Sequence, residues 1–136
     1  MEITWLGRSC LRIRAKEATV VTDPYDKSTG YTLGRPTADI ITVSNSDPAH
    51  AHVDGVAGSP RVIEGPGEFE IAGTSIIGVT TYRGKEKTPE SGTNIAYVIE
   101  LEDLRIGHLG AIGHVPTSDQ IEAMGGVDIL LLPVGG

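Results

Sequence analysis

The residues best suited to chemistry in this chain are its four histidines and the carboxylates near them. The densest group follows a β-branched run that predicts a strand, and it reads D-P-A-H-A-H-V-D over residues 47–54. Imidazole and carboxylate are both ligands for zinc or manganese. The spacing leaves two interpretations open: a solvated polar loop, or a metal site built from Asp47, His50, His52 and Asp54.

The other histidines, His108 and His114, bracket the sequence L-G-A-I-G. Each is a candidate ligand, although a histidine more commonly caps the end of a strand by hydrogen bonding. The single cysteine, Cys10, is expected to be a small buried hydrophobe rather than a nucleophile. Because one cysteine forms no intramolecular disulfide, a reducing cytoplasm is the expected location.

Composition predicts one globular domain over residues 1–136. The chain carries 18 acidic against 11 basic side chains, for a net charge of −7, with 39% hydrophobic and 21% charged residues. An acidic chain without a cluster of Lys and Arg is a poor ligand for nucleic acid. Its longest apolar run falls far short of the roughly 20 residues that span a bilayer, so no membrane partner is expected.

Periodicity predicts many short strands and one helix. The strand-like runs are 2–6, 10–14, 18–22, 38–44, 62–63, 69–72, 75–82, 94–101 and 104–109. The helix is expected to begin at Thr117 or Ser118 and to end at Gly125, with Ile121 and Met124 on its apolar face. A last apolar run, 127–134, is typical of a strand buried on both faces. One helix cannot cover so much sheet, so we expect cover from a partner subunit or from further chain.

The order of short motifs resembles the metallo-β-lactamase superfamily. The matching segments are ITWLGRSC from Ile3, VTDP from Val21, ADIITVS from Ala38, GPGE from Gly65, GHLG from Gly107 and LPVGG from Leu132. Most similar is the small bacterial branch of metal-dependent hydrolases that includes the L-ascorbate-6-phosphate lactonase type. The resemblance runs along the whole chain without large gaps. It implies an α+β fold, a β-rich αββα sandwich, here without the C-terminal part, and a metal centre at one sheet edge that activates water.

The resemblance also implies which residues should bind metal, and most of them are replaced. The family pattern His-x-His-x-Asp-His falls on residues 45–50, where Asn45, Asp47 and Ala49 stand in place of ligands and His50 alone matches. The histidine of the opening motif is Arg8, a later histidine is Arg83, and the bridging aspartate is Ala111. Asp23-Pro24 does match the family, and its carboxylate is expected to orient the neighbouring loop.

Fixed positive charge and missing ligands both oppose binding of a divalent cation. The sequence therefore predicts a domain without a cofactor that acts in binding or assembly, with Arg8, Arg83 and Asn45 available to a small anion. The alternative is a hydrolase with a rebuilt zinc or manganese site at His50 and His52. Burial of the last strand predicts a homodimer.

Overall fold

The computed structural model describes residues 1–26, 33–47, 50–84 and 92–131. Within these ranges ten strands form two five-stranded sheets, accompanied by one α-helix. The predicted β-rich sandwich is therefore confirmed.

The first sheet carries the strand ends that build the site. Its strands, in sheet order, are β1 (Glu2–Gly7), β2 (Cys10–Arg14), β3 (Thr19–Thr22), β4 (Ile40–Thr42) and β5 (Arg61–Ile63). β2 is antiparallel to both β1 and β3, whereas β3, β4 and β5 are parallel. Because parallel strands end at the same edge of a sheet, the residues that follow β3 and β4 lie side by side.

The second sheet continues the chain as a meander. It contains β6 (Gly67–Ile71), β7 (Thr74–Tyr82), β8 (Thr93–Leu101), β9 (Leu104–His108) and β10 (Ile129–Leu131), with β10 parallel to β9. Two-residue turns join β6 to β7 and β8 to β9, at Ala72-Gly73 and Glu102-Asp103. All four of these turn residues have positive φ, the conformation that tight hairpins favour.

The core lies between the two sheets and consists mainly of isoleucine and valine. Ile13, Val20, Ile40, Ile99 and Ile106 are all fully buried there. Each such side chain contributes roughly 1.5–3 kcal/mol when it is removed from water. In β3 and β4 successive side chains face opposite sides, so Val20 and Ile40 lie in this core whereas Val21 and Ile41 pack on the outer face of the sheet.

The helix α1 (Ser118–Met124) covers the outer face of the second sheet. Thr117 and Gln120 form a capping box at its start, and the helix ends at Gly125, as predicted. The prediction that Ile121 shares a buried apolar face with Met124 was wrong, because Ile121 is 56% exposed whereas Met124 is buried. In this short helix the inward row is Gln120 and Met124, four residues apart, and the Gln120 amide donates to the Thr80 carbonyl at 3.0 Å.

The last strand is shorter than its apolar run. β10 covers Ile129–Leu131, and residues 132–134 of the predicted strand lie outside the described residues. Leu130 is 47% exposed, so the described residues do not bury both faces of β10. Among the described residues, no helix is long and apolar enough to cross a membrane.

Candidate functional site

The candidate site lies where the ends of β3, β4 and β9 meet the start of β8. The Ser44 carbonyl, just past β4, accepts a hydrogen bond from the Ile95 backbone N–H of β8 at 2.7 Å. Gly110, just past β9, lies so close that a Cβ there would sit 2.5 Å from the Ser44 Cβ. The two sheets therefore touch at this edge.

Asp23 organises the loop that follows β4. Its carboxylate is fully buried and accepts hydrogen bonds from the Ser44 backbone N–H at 2.7 Å and the Ser44 hydroxyl at 2.6 Å. Nδ1 of His50 lies 2.9 Å from the same carboxylate. A carboxylate only accepts, so Nδ1 carries the proton of this hydrogen bond. The prediction that Asp23 orients this loop is confirmed.

His108 joins the two sheets at the same edge. It is 3% exposed, and its Nε2 donates to the Ser9 carbonyl of the first sheet at 3.0 Å. Burial lowers the pKa of His108; nearby Asp23 and the Ser9 carbonyl oppose this shift, and His50 adds to it. His108 is therefore a neutral ring at the end of β9, which agrees with the strand-end interpretation.

Cys10 lies in the same buried region but has no nucleophilic character. Burial, together with the negative charge of Asp23, raises the pKa of its thiol to about 12. The reactive form of cysteine is the thiolate, which is absent near neutral pH at such a value. The prediction that Cys10 is a small buried side chain is confirmed.

Arg8 stands on the tight turn between β1 and β2. Its φ is 54°, in the left-handed region that non-glycine residues rarely adopt. The Trp5 indole N–H donates to the Arg8 carbonyl at 2.8 Å. The next carbonyl, that of Ser9, accepts from the Thr22 hydroxyl at 2.9 Å as well as from His108. The backbone beneath the exposed Arg8 side chain is thus held at successive residues.

Arg83 follows β7 and reaches the loop after β4. Its Nη1 lies 3.7 Å from an oxygen of Asp47, and both side chains are partly exposed. In that loop the Asn45 side chain donates to the Ser44 hydroxyl at 3.3 Å and accepts from the Asp47 backbone N–H at 3.1 Å. Arg83, Asn45 and Asp47 are therefore brought together at the site edge.

His52 and Asp54 are not arranged as a rebuilt metal site requires. Both are exposed, at a short 3-10 turn, Val53–Gly55, whereas His50 is buried against Asp23. The part of the chain that the structure describes includes all four predicted ligands. Within it, no group of three or more His, Cys, Asp or Glu side chains is placed to hold a metal ion.

Asn94 holds the loops at this edge together by hydrogen bonds, and it was not predicted from the sequence. It is fully buried, and its amide donates to the Thr81 hydroxyl and to the Leu109 carbonyl, both at 2.8 Å. Its carbonyl oxygen accepts from the Ala111 backbone N–H at 2.9 Å. A polar amide directly before the apolar run 95–99 was the available signal, because a buried amide must be hydrogen-bonded.

The chain belongs to the β-lactamase superfamily. The sequence profile described as the beta-lactamase superfamily domain matches residues 2–136, as the motif order predicted. UPF0173 proteins of Pyrococcus abyssi and Pyrococcus furiosus are 27% and 26% identical over 160 residues, covering all of this chain and 71% of each relative. Because this chain has 136 residues, those matches include gaps.

Solved structures confirm the fold. A proposed Zn-dependent hydrolase of the metallo-β-lactamase superfamily from Thermotoga maritima is 40% identical, with a TM-score of 0.81. The match covers 98% of this chain but 61% of that protein, so this chain spans less than two thirds of it. A proposed metal-dependent hydrolase from Parabacteroides distasonis shares the fold, with 19% identity, a TM-score of 0.72 and coverage of 98% and 69%.

The donor set at this edge does not fit the metal that such relatives imply. A catalytic zinc takes three protein ligands, and here His50 offers one nitrogen. The Asn45 side chain is engaged within its own loop, and the Asp47 carboxylate faces the Arg83 guanidinium. A fixed positive charge beside a carboxylate competes directly with a metal cation.

Proposed function

We propose that this chain is a non-catalytic member of its superfamily that binds a small anion at the site edge. The observation that carries the proposal is the state of Arg8. Its turn is fixed by hydrogen bonds, and within the described ranges no carboxylate forms an ion pair with its exposed guanidinium. An unpaired guanidinium on a fixed turn is suited to bidentate binding of a carboxylate or phosphate.

Arg83 supports the proposal because it and Arg8 flank the same loop, residues 109–113. Residues 109–113 pass between the two turns that carry the arginines. On one side His108 bonds to Ser9, next to Arg8; on the other, the Gly113 N–H donates to the Tyr82 carbonyl at 2.9 Å, next to Arg83. The buried Asp23 carboxylate is meanwhile held by Ser44 and His50, so it does not pair with either arginine.

Calorimetric titration with inorganic phosphate at low ionic strength tests this function. The parent protein should bind phosphate, and Arg8→Ala should weaken binding about tenfold, since a charge-assisted hydrogen bond contributes about 1.5–3 kcal/mol. Arg14→Ala, which removes an exposed arginine from the opposite end of β2, is the matched control and should bind as the parent does. Failure of the parent to bind, or equal binding by Arg8→Ala, would overturn the proposal.

The second candidate is a hydrolase with a rebuilt single-metal site. One observation favours it: Asp23 holds Nδ1 of His50, the contact by which carboxylates orient histidines that bind metals through the other nitrogen. This candidate requires that His50→Ala and His52→Ala each abolish metal uptake while the fold stays intact. Uptake equal to that of the parent in both variants would exclude it.

We further propose that the chain forms a homodimer through β10. Leu130 is half exposed on an edge strand that, among the described residues, pairs on one side only, with β9. Open apolar edges pair readily with another strand, and a second copy offers an identical edge.

A further inference from the structure

We infer that the anion bound at this edge carries a planar aromatic ring, which stacks on Trp5 while its acidic group pairs with Arg8. The inference rests on the anion-binding function proposed above and adds the chemical class of the ligand. Trp5 is the single tryptophan of the chain, and it is 64% exposed. Tryptophan is enriched where a protein meets another molecule, because its ring is apolar and its N–H is polar.

The indole is held in place beside Arg8. Its N–H donates to the Arg8 carbonyl at 2.8 Å, so the ring lies across the turn that carries the guanidinium. An exposed tryptophan without such a bond would sample several rotamers and would lose that freedom on binding. Here the hydrogen bond has already fixed the orientation, and the ring forms a ready surface for stacking.

The strand leading into the turn is fixed as well. The Tyr25 hydroxyl donates to the Leu6 carbonyl at 2.5 Å, and Gly7, with a φ of 117°, lies directly against that hydroxyl. With the bonds to Arg8 and Ser9, three carbonyls of this short segment are engaged by side chains. The indole of Trp5 and the backbone that carries Arg8 are therefore held side by side, which places a ring and a charge within reach of one molecule.

Phenyl phosphate and methyl phosphate carry the same charge and differ in the ring, so they are the probes. By calorimetry, the parent should bind phenyl phosphate about tenfold more tightly than methyl phosphate, as base–aromatic stacking predicts. Trp5→Leu should bring this ratio to about one, whereas Trp5→Phe, which keeps a ring, should retain most of the preference. Ile121→Leu, which alters an exposed apolar residue on α1, is the control and should keep the parent ratio.

The outcomes separate this inference from the function on which it rests. If neither inorganic phosphate nor either ester binds, the anion-binding function fails, and the inference fails with it. If inorganic phosphate binds but the two esters bind equally, or if Trp5→Leu keeps the ring preference, only the inference is overturned. Trp5 fluorescence that shifts to the blue with protein concentration would show that a second copy covers the indole, and it would also overturn the inference.

Discussion

The His50 imidazole and the Asp23 carboxylate form a buried pair in which Nδ1 and Oδ2 are 2.9 Å apart. Ser44 completes the hydrogen bonding of the carboxylate through its backbone N–H and its hydroxyl. At this edge a carboxylate still orients one histidine, His50. Arg8 and Arg83 occupy two positions at which the family resemblance implies histidines that bind metal. We therefore propose that Arg8 and Arg83 supply the charge that a ligand meets.

Gly110→Ala should destabilise the protein strongly. A Cβ at this position would meet Ser44 Cβ at 2.5 Å and Oγ at 2.6 Å, and the backbone φ of +61° disfavours any side chain. We expect a loss of about 2–4 kcal/mol in the free energy of unfolding, measured with urea. Gly126→Ala is the control, because nothing lies within 4 Å of the point that its Cβ would occupy, and it should change stability little. Equal effects would contradict close contact of the sheets.

His108 should make stability depend on pH. Burial lowers its pKa in the folded protein below the ordinary 6.5, so on acidification the unfolded chain binds the proton first. The free energy of unfolding therefore keeps its full value, as far as His108 is concerned, above about pH 7.5. It falls as the pH drops below about 6.5, with a slope of at most about 1.4 kcal/mol per pH unit. Urea unfolding of the parent and of His108→Gln from about pH 8 to 5.5 measures this slope. An identical slope in the variant would refute the assignment.

Asp47→Asn should increase anion affinity. The Asp47 carboxylate lies 3.7 Å from Nη1 of Arg83 and competes with any anion for that guanidinium. We expect phosphate to bind about threefold or more tightly, while stability changes by less than about 1 kcal/mol, as is usual for exposed ion pairs. Asp54→Asn, which removes another exposed carboxylate, is the control. The gain should vanish in the Asp47→Asn/Arg83→Ala double variant; a gain that persists there would exclude competition for Arg83.

Leu130→Glu should reduce self-association. A charge on the exposed face of β10 would be buried against the same charge of a second copy, at a cost well above the gain from pairing. Light scattering at micromolar concentration should show a dimer for the parent and a monomer for this variant. Val115→Glu changes a side chain that is 79% exposed outside β10, so it should leave the dimer intact. A monomeric parent would contradict the proposed assembly.

Much of the fold was predictable because its signals are local. The hairpin turns, the alternating strands of the meander and the Thr117 cap all depend on residues close together in sequence. The orientation of α1 was harder to predict, because Gln120 packs inward through a hydrogen bond to Thr80, which is forty residues away in the sequence. Ile121 was therefore assigned to the wrong face by hydrophobicity alone.

The role of Asp23 at this edge was predictable from the sequence, but the partners of the other residues were not. Asp23 was expected to orient the loop after β4, and it does so through Ser44 and His50. The Arg83–Asp47 contact and the Asn94 network depend on loops from different strands meeting in space. No spacing within the sequence encodes that meeting, so geometry was needed to find it.

Zinc content per chain most directly separates an anion site from a metal centre. The purified protein would be incubated with excess zinc, desalted without chelator and analysed for metal, beside His50→Ala and His52→Ala. We expect zinc well below one equivalent per chain in the parent, with the same content in both variants. One zinc per chain in the parent that is lost in both variants would contradict the proposed function and would establish a rebuilt metal site.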